Sequence, residues 1–227
     1  MTKISTNLTG KSWAHRIFYR AIKGFLAVVL RVYCRMSIEG NEQIPRGVPF
    51  ILAPTHRSIV DTPISGAVYG PRMRFMGADK WWSNKWFGKL LTALGGFPVT
   101  RGTADREALK RCIAVIEGGE PLVLFPEGER KSGPTVQPLF EGAAYIAMKT
   151  GGPVIPVAIA GSEAVMPKGA KFIYPRKLVV KVGAPMHLPA TEDSSMKAQR
   201  EAARQLTNDL HAELQRLFDA ASARLAR

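Results

Sequence analysis

Only two cysteines, Cys34 and Cys112, occur in the 227 residues, and they lie far apart. No disulfide framework or metal-ligand spacing can be built from them, so both read as core or helix-face thiols of a reducing compartment. Long apolar runs are missing too. The most apolar stretch near the N-terminus, residues 24–30, is seven residues long with Lys or Arg on either side. This does not read as a secretory leader. Nor does any uncharged run approach the roughly 20 apolar residues of a membrane-spanning helix. There is no internal repeat and no low-complexity segment, which excludes a repeat architecture. Acidic residues are scarce, 18 Asp and Glu against 32 Lys and Arg, for a formal net charge of +14.

What is present fits one sizeable globular domain, with 46% hydrophobic and 22% charged residues. The positive excess is uneven. Residues 1–60 carry nine Lys or Arg against two Asp or Glu, whereas residues 192–227 carry six of each. Such an imbalance suits an anionic partner, whether a membrane surface, a nucleic acid or a phosphorylated ligand. Surface lysines that simply keep the chain soluble would look the same. No helix-turn-helix, RNA-recognition or zinc-finger signature accompanies the charge.

Residues 11–35 read as one amphipathic helix. Arg16, Arg20, Lys23, Arg31 and Arg35 recur near one face, and Trp13, Phe18, Ile22, Phe25, Leu26, Val29 and Tyr33 take the other. A basic stripe opposite an aromatic-rich face suits a helix lying in a membrane interface, with Trp13, Phe18, Phe25, Arg16, Arg20 and Lys23 as its contacts. A core helix with a solvated basic face is the alternative. From residue 36 to the C-terminus the pattern alternates and predicts a single α/β domain. Strands are expected at 50–53, 73–76, 97–99, 122–125, 154–160 and 178–182. Helices are expected at 62–69, 86–94, 105–117 and 140–149, and a long final helix opens at Thr191 or Ser194 and runs to about Leu225. Strands alternating with helices predict a mixed, largely parallel sheet flanked by helices. Trp81, Trp82 and Trp86 stand among Lys80, Lys85 and Lys89 and read equally well as interfacial anchors or core aromatics.

Four segments carry chemistry. The first is His56-Arg57-Ser58-Ile59-Val60-Asp61. A neutral imidazole can take a hydroxyl proton near neutral pH, and a carboxylate behind it can fix the tautomer and stabilise the imidazolium. Within one helix, five steps of about 100° would set the two side chains about 140° apart. They meet only if His56 lies in the loop after the 50–53 strand and Asp61 in the first turn of the next helix, with Ser58 as a suitable N-cap. Such a turn also sits at the carboxyl edge of the sheet, where open α/β sheets place their sites. The second segment is Phe125-Pro126-Glu127-Gly128-Glu129-Arg130, directly after a buried strand. There Glu127 can accept hydrogen bonds from a polyol, Gly128 permits positive φ and Arg130 can bind phosphate. The third, residues 95–102, ends a short strand in Arg101, whose planar guanidinium suits a phosphate clamp. The fourth, Val154-Ile155-Pro156-Val157, is a strand interrupted by proline, expected at an edge or bulge. A charged turn between elements remains an ordinary reading of the second segment alone.

Together and in this order, the four segments resemble the glycerolipid acyltransferase family, and specifically its bacterial 1-acylglycerol-3-phosphate acyltransferases. That family is marked by H-x-x-x-x-D, a Gly/Phe segment ending in Arg, F-P-E-G and an apolar V-I-P-V-type strand. The likeness covers roughly residues 36–185. It implies that His56 is the general base on the acceptor hydroxyl and that Asp61 orients it. It also implies that Arg101 holds the acceptor phosphate, that Glu127 and Gly128 shape the acceptor pocket, and that Arg130 is a further anion contact. The acyl donor would be a thioester of coenzyme A or acyl carrier protein, attacked directly, with no cofactor and no metal. The acceptor would be lysophosphatidate, taken from an anionic membrane at the cytoplasmic face by a peripheral or monotopic enzyme. Backbone N–H groups near Gly128 or Ser58 would serve the oxyanion. Where the family has a small hydroxyl residue after F-P-E-G, this chain has Glu129. A different acceptor lipid, hydrolysis through an activated water, and a non-catalytic basic membrane-binding module are the competing readings.

Overall fold

The computed structural model describes residues 13–99, 106–191, 193 and 195–227, with the side chains of residues 14–16 outside that description. Helix α1 (Trp13–Tyr33) leads into β1 (Ser37–Glu39), β2 (Ile51–Pro54) and α2 (Asp61–Val68). Next come β3 (Arg74–Ala78), α3 (Lys85–Ala93), β4 (Gly96–Val99) and α4 (Arg106–Glu117). The chain continues through β5 (Leu122–Val123), α5 (Gly142–Thr150), β6 (Val154–Ala160), α6 (Ser162–Val165), β7 (Val179–Val182) and α7 (Met196–Leu225). The strands form one seven-stranded sheet in the order β1-β7-β6-β2-β5-β3-β4. β6, β2, β5, β3 and β4 run parallel. β7 is antiparallel to β6, and β1 runs with β7. The expected mixed, largely parallel sheet is therefore present. β1 falls in a segment for which the sequence pattern predicted no strand.

The central strands are apolar throughout because both faces are covered. In β2 and the residue before it, Ile51 and Ala53 join one core cluster while Phe50 and Leu52 join the other. In β6, Val154 and Ala158 alternate in the same way with Ile155 and Ile159. The first cluster lies under α4, α5 and α7. From α7 it takes Leu206, Leu210, Leu214, Leu217 and Ala221, spaced three and four apart along one face. The second cluster receives Leu30 of α1 and Cys34 just beyond it, so the C-terminal end of the basic helix packs within the domain. Both cysteines are buried, and neither forms a disulfide.

Some boundaries differ from expectation for identifiable reasons. α7 starts at Met196, capped by Ser195, whose hydroxyl accepts from the Ala198 N–H at 3.2 Å. Pro156 lies in a central strand, not at an edge. Val154 bridges Met186 while Val157 pairs with Val182, so three steps on β6 face four on its partner. This one-residue bulge accommodates the missing proline N–H.

Candidate active site

β2 and β5 are adjacent and parallel, so the loops that follow them leave the same edge of the sheet. This brings the His56 and Glu127 segments together across 71 positions of sequence. The loop after β2 turns sharply into α2, whose first residue is Asp61. His56 Nδ1 lies 3.0 Å from Asp61 Oδ2. A carboxylate only accepts, so Nδ1 carries the proton and Nε2, on the opposite edge of the ring, presents its lone pair. The same Oδ2 accepts the main-chain N–H groups of Arg57 and Ser58, both at 2.6 Å. The Asp61 side chain is fully buried and that of His56 is about one-tenth exposed. The imidazole also stacks on Phe125, with centroids 4.0 Å apart and planes 21° apart. The loop-then-helix arrangement required for these two residues to meet is therefore present. Ser58 is not the N-cap, however. Its hydroxyl donates to Met166 O at 2.7 Å, and the carboxylate of Asp61 reaches back to satisfy the N–H groups ahead of the helix.

Glu127 requires the largest correction. It does not offer its oxygens to a polyol, because protein donors already occupy them. Oε1 accepts from His56 N at 3.1 Å and from Arg57 Nη1 at 2.7 Å. Oε2 accepts from Arg57 Nη1 at 2.9 Å and from Gln137 N at 3.1 Å. Its side chain has no solvent exposure, and that of Arg57 has 2%. Arg57 is the functional residue that the sequence reading passed over. A signal was available: a glutamate buried at a strand end must find a cation or several donors, and an arginine follows the motif histidine directly.

Gly128 is exposed, with φ of 73°. A Cβ there would meet the Phe140 ring at 2.6 Å, so the glycine is needed for the turn and for the close approach of that ring. Its N–H donates to Phe125 O at 3.0 Å and that of Ser58 to Asp61, so these two N–H groups are engaged within the protein. Arg130 is exposed at the same sheet edge. β4 also ends there, three strand positions from β2, roughly 14 Å across the sheet. Arg101, which follows it, lies outside the described residues. Among the described residues, no group of three His, Cys, Asp or Glu is placed to hold a metal.

On α1 the apolar residues divide. Tyr19, Ala27 and Leu30 are buried, whereas Trp13 (75%), Ile17, Phe18, Phe25 (67%), Val28 and Val32 are exposed. Arg20 is exposed with them, and the side chain of Arg16 lies outside the description. Lys23, expected on the interfacial stripe, turns inward instead, and its ammonium donates to the carbonyls of Tyr69 and Gly70 at the end of α2. Burial first, and the neighbouring Arg20 second, lower its pKa to about 8. Of the three tryptophans, Trp82 packs inward and donates to Thr92 Oγ1 at 3.0 Å, while Trp81 and Trp86 face out. Lys80 lies 5.6 Å from the Trp81 ring and Lys89 lies 5.3 Å from that of Trp86. No described helix is long and apolar enough to cross a membrane.

Known proteins resemble this chain in sequence and in fold. The chain is 28% identical to a 1-acyl-sn-glycerol-3-phosphate acyltransferase of Bacillus subtilis (strain 168), over 88% of this chain and 100% of that one. It is 27% identical to the protein of that name from Streptococcus pneumoniae, over 89% of this chain and 74% of the other. The fold matches the crystal structure of the 1-acyl-sn-glycerophosphate (LPA) acyltransferase from Thermotoga maritima with a TM-score of 0.69 at 24% identity, over 92% of this chain and 85% of that one. The family model described as Acyltransferase matches residues 35–160, a span that holds the His56–Asp61 pair and the Glu127 loop. More than half of the chain lies within that match, and the chain therefore belongs to the acyltransferase family.

Proposed function

We propose that this acyltransferase moves an acyl group from a thioester of coenzyme A or acyl carrier protein to the sn-2 hydroxyl of lysophosphatidate, giving phosphatidate. The observation that carries the reading is the His56–Asp61 pair, a buried carboxylate 3.0 Å from one imidazole nitrogen at the carboxyl edge of the sheet. Relatives whose names specify 1-acyl-sn-glycerol-3-phosphate supply the choice of acceptor. His56 Nε2 takes the hydroxyl proton as the oxygen bonds to the thioester carbonyl carbon. Asp61 stabilises the imidazolium that forms. The tetrahedral intermediate then collapses with loss of the thiolate, which receives the proton held on His56. The sequence calls for no cofactor, because the thioester itself is the activated group. Arg101 and the exposed Arg130 are the proposed contacts for the acceptor phosphate.

The acceptor and the product are lipids, and the exposed stripe of α1 supports docking to an anionic membrane surface, at the cytoplasmic face in this reading. Trp13, Phe18 and Phe25 would enter the interface, with Arg20 among the headgroups. α3 packs against α1 and adds the exposed Trp86, with Lys85 and Lys89 beside it.

The test is product analysis with a labelled acyl thioester and a panel of lysolipids. Labelled phosphatidate formed in preference to other esters is the expected result. Free fatty acid as the main product would show a hydrolase, and preference for another lysolipid would replace the acceptor.

A further inference from the structure

We infer that Arg57 and Glu127 are positioning residues that hold the general base and the Arg130-bearing loop of residues 129–137 at a fixed separation, and that Glu127 does not bind substrate. A carboxylate has about four lone-pair sites. Those of Glu127 receive four contacts: one from His56 N, two from Arg57 Nη1 and one from Gln137 N. Both oxygens are engaged by protein donors and the side chain has no solvent exposure, which leaves no route for an acceptor hydroxyl. Arg57 spends its other donors on the same neighbourhood. Nε reaches Gly133 O at 3.3 Å and Nη2 reaches Thr135 O at 3.1 Å, while the Nη1 shared with Glu127 also lies 3.2 Å from His56 O. Its guanidinium lies 5.1 Å from the Phe218 ring of α7. A further main-chain bond, Lys131 N to His56 O at 2.8 Å, ties the loop to the base directly.

The main chain of His56 is thus gripped on both sides, its N–H by Glu127 and its carbonyl by Arg57 and Lys131. The loop held by the same ion pair carries the exposed Arg130, while Lys131 is paired with Glu129 at 2.8 Å. The pair therefore sets the distance between the nitrogen that takes the proton and Arg130, the guanidinium proposed for the acceptor's anionic group. A shift of about 1 Å in such geometry costs on the order of 10²-fold in rate. Lysine is no substitute for Arg57, because a single ammonium cannot reach Glu127, Gly133 and Thr135 in one plane.

The inference rests on the acyl-transfer reading for its kinetic readout, so the experiment also carries a readout independent of turnover. Arg57→Lys, Glu127→Gln and the double variant Arg57→Met/Glu127→Gln are compared in the full chain by thermal melting, by kcat and by KM for both substrates. The His56 Nδ1 proton signal is followed by NMR. Arg57→Lys is expected to lower kcat by about 10²-fold, to raise KM for the phosphorylated acceptor, to leave KM for the thioester within about twofold, and to shift or broaden the Nδ1 proton signal. The double variant removes both buried charges, so it is expected to regain the melting temperature lost in Glu127→Gln but not the turnover. Recovery of turnover along with stability would show a purely structural ion pair and overturn the inference. So would a rise in acceptor KM with kcat intact in Glu127→Gln alone, which would make Glu127 a substrate ligand. If Glu127→Gln does not fold, Arg57→Lys decides, and wild-type turnover in that variant overturns the inference. A wild-type chain that transfers no acyl group removes the acyl-transfer reading instead, and the Nδ1 signal in Arg57→Lys still decides the positioning.

Discussion

The imidazole of His56 lies flat against the ring of Phe125, 4.0 Å between centroids, with its Nδ1 edge on Asp61. The residue before F-P-E-G's proline thus serves the base in the neighbouring loop. One carboxylate and one aromatic face together leave the ring a single orientation. Phe125→Leu keeps the apolar volume but loses the stack, a contact of about 0.5–1.5 kcal/mol. A several-fold fall in kcat is expected, with KM for both substrates little changed. Unchanged kcat would show that Asp61 alone orients the ring.

Removing the base itself separates chemistry from folding. The main-chain bonds of His56 survive in His56→Ala, so the melting temperature is expected to stay close to wild type while turnover falls by at least about 10²-fold. Undiminished turnover in a folded His56→Ala protein would remove the assignment of His56 as base.

Asp61 serves both stability and chemistry. Asp61→Asn can still accept from Arg57 N and Ser58 N, but it no longer offers a charge to the imidazolium. Turnover is expected to fall about 10²–10⁴-fold, with a smaller loss of stability. Equal turnover of Asp61→Asn and wild type would show that no imidazolium forms in the rate-limiting step.

The turn at Gly128 makes a purely structural prediction. Gly128→Ala adds a Cβ 2.6 Å from the Phe140 ring on a backbone with φ of 73°. A cost of about 1–3 kcal/mol is expected, read as a drop in melting temperature of about 2–4 °C per kcal/mol. Adding Phe140→Ala relieves the overlap but not the backbone strain, so it should restore only part of the loss. Full restoration would show that φ at this position carries no penalty.

Membrane docking is tested on α1. Trp13→Ser with Phe25→Ser leaves the buried face of the helix intact. Each substitution removes exposed apolar surface worth roughly tenfold or more in vesicle affinity if it inserts. Flotation with vesicles containing phosphatidylglycerol should show that loss, while turnover on a detergent-dispersed acceptor should hold. Undiminished vesicle binding would remove α1 as the docking element.

Much of this architecture is written locally. The alternation of strand and helix and the doubly apolar β2 and β6 are short-range patterns, so the α/β class was legible, whereas the capping residues Ser58 and Thr191 or Ser194 were not the ones the structure uses. The His56–Asp61 contact was also legible, because helical geometry allows those five steps to close only through a loop followed by a first turn. What tertiary structure decided is which groups face each other across long separations. Glu127 reads in isolation as an open acceptor. Only the placement of β5 beside β2 brings His56 N, Arg57 and, through the following loop, Gln137 onto its two oxygens and turns it into a brace. Lys23 likewise reads as part of a basic stripe until α2 presents the Tyr69 and Gly70 carbonyls to it. The physical reason is the same in both cases. A sequence states how many hydrogen bonds a polar side chain must make once buried, but strand order and helix packing choose the partners.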